Sequence, residues 1–170
     1  MKKILLLVSI IILSACGGTD IEVVITPGFD IVEKDSEWID EGCNLVVDGE
    51  EIVMQSEISE VDLTEYGEYR VIYSIEYEGK DYSCLRIVKV VDMESPVVVI
   101  NTGIDTIYVG DTWIQTGVTA TDNSGTNITT FVSGVVDSST AGIYIIIYTV
   151  VDEFYNQTIV RRIVTVLEKD

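Results

Sequence analysis

Three residue types in this chain could do chemistry by position: cysteine, carboxylate and tryptophan. The 170 residues hold three cysteines, Cys16, Cys43 and Cys84, and two tryptophans, Trp38 and Trp113. Carboxylates dominate the charge, 29 against 10 lysines and arginines, for a net of −19. Asp92, the run Asp122-Asn123-Ser124-Gly125-Thr126-Asn127 and Asp152 offer hard oxygens in turns, the ligand type that suits Ca²⁺. The same Asp-Asn-Ser-Gly string is ordinary turn chemistry, and full EF-hand spacing is missing. These three aspartates are therefore weak calcium candidates, and we expect no metal and no cofactor. Histidine is absent altogether. That excludes Ser-His-Asp and Cys-His nucleophilic catalysis, HExxH zinc sites and imidazole general bases. No glycine-rich phosphate loop and no CxxC occurs, and the acidic balance excludes nucleic acid, which is bound through Lys and Arg. Catalysis is not expected.

What the cysteines can do depends on where the protein lives, and the first residues address that. Lys2 and Lys3 precede an apolar stretch from Ile4 to Leu13 broken only by Ser9, and small residues follow. This is the order of a secretory signal, and the run is about half the ~20 apolar residues of a membrane span. Leu13-Ser14-Ala15-Cys16 resembles the bacterial lipobox. The resemblance implies cleavage of residues 1–15 and a diacylglycerol thioether on Cys16, with residues 16–20 as a short tether. Several acyl chains, each worth about 0.8 kcal/mol per buried methylene, would hold the protein on the extracytoplasmic face of the cell membrane. An ordinary cleaved signal is the other reading. Without residues 1–15 the chain loses two lysines and no acid, leaving 155 residues with a net charge of −21.

The elements that must position the remaining residues are visible as an internal repeat, which should be sought before any fold is assigned. "GFDIVEKDSEWIDEGCN" from Gly28 answers "GIDTIYVGDTWIQTGVT" from Gly103, so Asp30, Trp38 and Gly42 match Asp105, Trp113 and Gly117. Gly67, Tyr69 and Tyr73 match Gly142, Tyr144 and Tyr148. Near the end the offset grows by one residue, pairing Arg86-Ile87-Val88 with Arg162-Ile163-Val164. Val, Ile, Tyr and Thr runs are split by Gly, Asp and Asn clusters, with no lasting 3.6-residue period after the signal. This pattern predicts an all-β chain of two tandem immunoglobulin-like β-sandwich domains, residues 21–92 and 93–170. Gly67-x-Tyr69 and Gly142-x-Tyr144 could each form a tyrosine corner, or the rings could simply pack on strands.

The second copy resembles the bacterial Ig-like domain first described in a pesticidal crystal protein, and the related HYR-type modules. The resemblance is carried by Pro96, Gly110-Asp111-x-Trp113, Gly117-Val118-x-Ala120-x-Asp122, Gly142-x-Tyr144-x-x-x-Tyr148, Asp152 and Arg162-x-Val164-x-Val166. Where many members have Gly-Asn after the aspartate, this chain has Tyr155-Asn156. The first copy departs further, with Tyr77 near the place of Asp152. The resemblance implies a fold and a surface setting but no ligand.

With Cys16 lipidated, Cys43 and Cys84 are an even pair in an oxidising compartment. They fall in one copy, at the positions of Val118 and Val160 in the other. We expect a Cys43–Cys84 disulfide; two buried free thiols are the alternative. The function expected is a non-catalytic cell-surface lipoprotein, a spacer or adhesion module for an unknown protein or glycan partner. The rival is a glycan-binding or enzyme-accessory lipoprotein that stacks sugars on Trp38 or Trp113. The repeat argues that both tryptophans are core.

Overall fold

A computed structural model describes residues 18–57, 60–125 and 127–169. The signal segment and Cys16 lie outside the described residues. All regular elements among the described residues are strands, and the chain divides into two compact units, with the boundary between Asp92 and Met93.

The first unit holds β1 (Ile21–Ile25), β2 (Ile31–Glu33), β3 (Cys43–Val47), β4 (Glu50–Val53), β5 (Gln55–Glu57), β6 (Gly67–Tyr77) and β7 (Lys80–Val91). They form a three-stranded sheet, β1-β3-β4, and a four-stranded sheet, β2-β7-β6-β5. Most pairings are antiparallel, but β2 runs parallel to β7, with Ile31 opposite Lys89. Alternation along the strands sends every second residue inward. Cys43, Leu45 and Val47 from one sheet meet Val71, Tyr73, Val88 and Val90 from the other in a single buried cluster. This is a sandwich core, closed by apolar area removed from water at about 25 cal/mol per Å². The β6–β7 hairpin turns on Glu78-Gly79, both at positive φ. That conformation belongs to the tight two-residue turn that matches strand twist.

The second unit holds β8 (Val97–Ile100), β9 (Thr106–Tyr108), β10 (Val118–Thr121), β11 (Thr129–Ser133), β12 (Gly142–Val151) and β13 (Gln157–Leu167). Its sheets are β10-β8 and β11-β12-β13-β9. Here β9 runs parallel to β13, Thr106 opposite Thr165, as β2 does to β7. Ile107, Ile146, Tyr148, Val150, Val164 and Val166 are buried on the inner face. Among the described residues of this unit no strand corresponds to β4, and the β12–β13 hairpin closes through a five-residue loop, 152–156, instead of two residues. Gly134 has φ 97°, and a β-carbon there would stand 2.2 Å from the Ile145 carbonyl oxygen. Only glycine lets the chain pass that close to β12.

Both tyrosine corners form. Tyr69 donates its hydroxyl to the Glu65 carbonyl and Tyr144 to the Thr140 carbonyl, each at 2.8 Å. The phenol thus pins the chain that leads into β6 or β12, four residues upstream.

Candidate functional site

The disulfide expected between Cys43 and Cys84 is formed. Cys43 opens β3 and Cys84 sits in the middle of β7, so the bond ties one sheet of the first unit to the other. Cys43 is fully buried, among the residues of the core cluster.

A buried arginine lies on the same inner face. Arg86 in β7 is 1% exposed, and it points inward because it shares the parity of Val88 and Val90. A guanidinium there must find partners for its charge and its donors. Its Nη1 donates to both oxygens of Asp30, at 2.8 and 2.9 Å. Its Nη2 donates to the carbonyls of Thr26 and Gly42, at 2.5 and 2.8 Å. Asp40 stands 3.8 Å from Nε and accepts a short hydrogen bond from Tyr73. Burial, together with that bond to Asp40, holds the Tyr73 phenol well above the usual tyrosine range. Trp38 donates to the same Asp30 at 3.3 Å. The arginine therefore gathers the loops before β2 and β3 around itself.

The second unit repeats this clamp with fewer bonds. Arg162, 3% exposed, stands 2.8 Å from Asp105 through Nε and donates to the Thr116 hydroxyl and the Asn101 carbonyl. The Nε–Asp105 approach is an ion pair without the alignment of a hydrogen bond. The glycines that open each repeat now have a reason. A β-carbon on Gly28 would lie 3.0 Å from Arg86 Nη1, and one on Gly103 would lie 2.9 Å from Arg162 Nη2. Sequence reasoning missed these clamps, although Gly28-x-Asp30 with Arg86 and Gly103-x-Asp105 with Arg162 recur at matching positions. A charged residue amid the inward-facing valines of a closing strand was the available signal.

Asp122 and Asp152 meet at one end of the second unit, with one carboxylate oxygen of each within 4.8 Å of the other. Asp92, the last residue of the first unit, is buried. Each of the pair holds its own turn. The Asp122 carboxylate accepts from the Ser124 amide at 2.9 Å and from the Ser124 hydroxyl. The Asp152 carboxylate accepts from the amides of Phe154 and Asn156, both at 2.8 Å, and from Asn156 Nδ2 at 2.9 Å. This is the turn chemistry of aspartate, performed with oxygens that a cation would also use.

The tryptophans proposed as sugar platforms are both half-buried. Trp38 packs against the first unit's core, and the Trp113 indole nitrogen is shielded from solvent. Among the described residues, the aromatic ones exposed beyond half or nearly so are Phe29, Tyr108, Phe131 and Tyr155. Of these Phe131, 60% exposed, and Tyr155, 87% exposed, stand together at the hairpin end of the second unit.

No curated protein matches the chain. Residues 103–166, running from the clamp glycine Gly103 through β13 to Val166, match the family described as bacterial surface protein, Ig-like domain, and the second unit is similar to that family over this span.

Proposed function

We propose that this chain is a non-catalytic lipoprotein of the bacterial cell surface, whose two Ig-like sandwiches serve in tandem as a spacer and adhesion module. The observation that carries this reading is the match of residues 103–166 to a family of bacterial surface proteins. The first unit supports it by repeating the arginine clamp, the tyrosine corner and the parallel strand beside the closing strand. Its disulfide fits an exported chain. The lipobox-like Leu13-Ser14-Ala15-Cys16 supplies the attachment. The reading needs no cofactor, and the absence of histidine leaves hydrolysis that relies on an imidazole base without one.

The test is metabolic labelling with a fatty acid, combined with protease digestion of intact cells. The wild-type chain should take up label and lose its folded units to added protease. Cys16→Ser should abolish the label and shift the protein out of the detergent phase. Unchanged partitioning of that variant would sink the lipid anchor. Full protection from protease in intact cells would sink the surface location.

A further inference from the structure

The β12–β13 hairpin puts an aromatic residue at the left-handed position of its loop, where the first unit's turn puts Glu78 and Gly79. Tyr155 has φ 68°. A bulky side chain is a genuine outlier there, because its β-carbon crowds the following carbonyl. The ring gains little from burial in return, since it is 87% exposed. The left-handed position closes the five-residue loop, where the Asp152 amide donates to the Asn156 carbonyl at 3.1 Å, and it leaves the aromatic ring standing in solvent.

The ring is also not isolated. Tyr155 lines a cleft of about 510 Å³ together with Phe131, Thr129, Val151, Gln157 and Asp152. Thr129 is opposite Val151 and Val151 opposite Gln157, so these three form a row across β11, β12 and β13. Phe131 lies two residues along β11 and therefore on the same face as Thr129. The cleft thus has a floor of hydroxyl, aliphatic and amide groups, with one aromatic ring from the edge strand and another from the hairpin loop. Its volume is in the range of small-ligand sites, and mostly apolar walls with a few polar groups are their usual make-up.

Charge narrows the ligand. Neither Lys nor Arg lines the cleft, and the unit carries nine acids against three bases, so an anion has no partner there. The one charged lining residue, Asp152, is 6% exposed and held by three hydrogen bonds from its own turn, so it presents little carboxylate surface to the cleft. A wholly apolar ligand would strand the Gln157 amide and the Thr129 hydroxyl, at a cost. A neutral pyranose meets all these conditions: its C–H face stacks on an aromatic ring, and its hydroxyls bond to amide and hydroxyl groups at the rim.

We propose that the Phe131–Tyr155 cleft binds a neutral polysaccharide chain, holding one or two of its sugar rings against the two aromatic side chains. The proposal rests on reading the chain as a surface interaction module, and it names the ligand class for that role. The first unit cannot do the same, because its Glu78-Gly79 turn carries no aromatic residue.

The test uses the full chain in detergent micelles. The probes are neutral hexaoses of β-1,4-glucose, α-1,4-glucose, β-1,4-xylose and β-1,4-N-acetylglucosamine, read by calorimetry and ligand-observed NMR. At least one should bind with a Kd of about 1 mM or tighter. Phe131→Ala and Tyr155→Gly should each weaken it by about tenfold or more, the loss expected when one stacking ring is removed. Tyr155→Gly should at the same time leave the melting temperature unchanged or raise it, since glycine accepts the left-handed position. That separates lost contact from lost folding. Binding of none of the four hexaoses overturns the proposal, as does binding that survives both substitutions. Capture of an apolar peptide but no sugar overturns it too. Because these are measurements on purified protein, failure of the surface reading would register only in the intact-cell experiment.

Discussion

The outer faces of the two four-stranded sheets share one register but differ in polarity at several matched positions, although both carry exposed aliphatic residues such as Ile87 and Ile163. In the first unit the outward residues of β6 and β7 include Glu68, Arg70, Ser74, Ser83 and Lys89, and Glu68 and Lys89, cross-strand partners, form an ion pair at 3.3 Å. At the matching positions of the second unit stand Ile143, Ile145, Thr149, Ile159 and Thr165. Ile143, Ile145, Ile159 and Ile163 are all exposed. The inner faces, by contrast, agree closely: Tyr73 with Tyr148, Arg86 with Arg162, Val88 with Val164 and Val90 with Val166. The inner positions carry the packing and tolerate little change in volume or charge. The outer positions need only suit a pleated strand, which β-branched and polar residues both do. One frame has therefore been kept twice, and the surface and the hairpin have been free to differ.

The largest difference between the frames is the disulfide, so removing it should break the comparison most. Closing a loop with sequence separation 41 is worth about 4 kcal/mol by chain entropy. For a domain of this size that corresponds to roughly 15–30 °C in melting temperature. Reduction, or the double substitution Cys43→Ala and Cys84→Ala, should lower the transition of the first unit by this amount and leave that of the second in place. Scanning calorimetry of the full chain would read both. A single transition that moves as a whole would mean the units melt as one.

The arginine clamp should show a smaller, graded effect in both units. Removing one partner of a buried pair costs about 3–5 kcal/mol when the other charge stays buried. Here the aspartates are partly open to solvent, with side-chain exposures of 29% for Asp30 and 42% for Asp105, so the low end applies. Arg86→Met should cost about 3 kcal/mol and Arg162→Met somewhat less, because Arg86 also satisfies two backbone carbonyls against one. Denaturant midpoints would rank them. Two variants as stable as the parent would show that the clamp is dispensable to the frame.

The smallest effect lies at the matching acidic turns. The Thr64 hydroxyl and amide hold Asp62 below the usual carboxylate range, and the Ser139 hydroxyl and amide do the same to Asp137, helped by Thr140. A carboxylate lowered in the folded state adds stability that is complete above its unfolded value of 3.8. That stability is lost as pH falls through the lowered folded value. Both units should therefore lose a little stability below about pH 4. Thr64→Ala should flatten that acid limb in the first unit only, and Ser139→Ala in the second only, as melting curves against pH would reveal. If either substitution left the limb unchanged, the turn aspartates would not be its source.

Much of this molecule was legible from short-range pattern. Alternating Val, Ile, Tyr and Thr runs between Gly and Asp clusters mark the strands, because side-chain direction reverses at every residue. The offset of 75 residues, growing to 76 near the end, aligned the two copies and placed Cys43 and Cys84 on strand positions matching Val118 and Val160. Gly67-x-Tyr69 and Gly142-x-Tyr144 announced hydrogen bonds spanning only four residues. These features are local, or are copied, and so they survive in a linear string.

Tertiary structure alone decided what meets what across the sandwich. Arg86 and Asp30 are 56 residues apart; alternation with Val88 and Val90 turns the arginine inward, but nothing near either residue states that the two meet. The repeat pointed both tryptophans toward the core, but only packing fixes how far each is covered, and both end half-buried. The Phe131–Tyr155 cleft draws on an edge strand and a hairpin loop, and its row of Thr129, Val151 and Gln157 exists only through strand register. Such groupings depend on which strands become neighbours and on which face each residue then takes. Shifting one strand by a single residue would turn every side chain to the opposite face. Composition and spacing could name the parts of this protein, but the pairing of its strands chose which of them stand together.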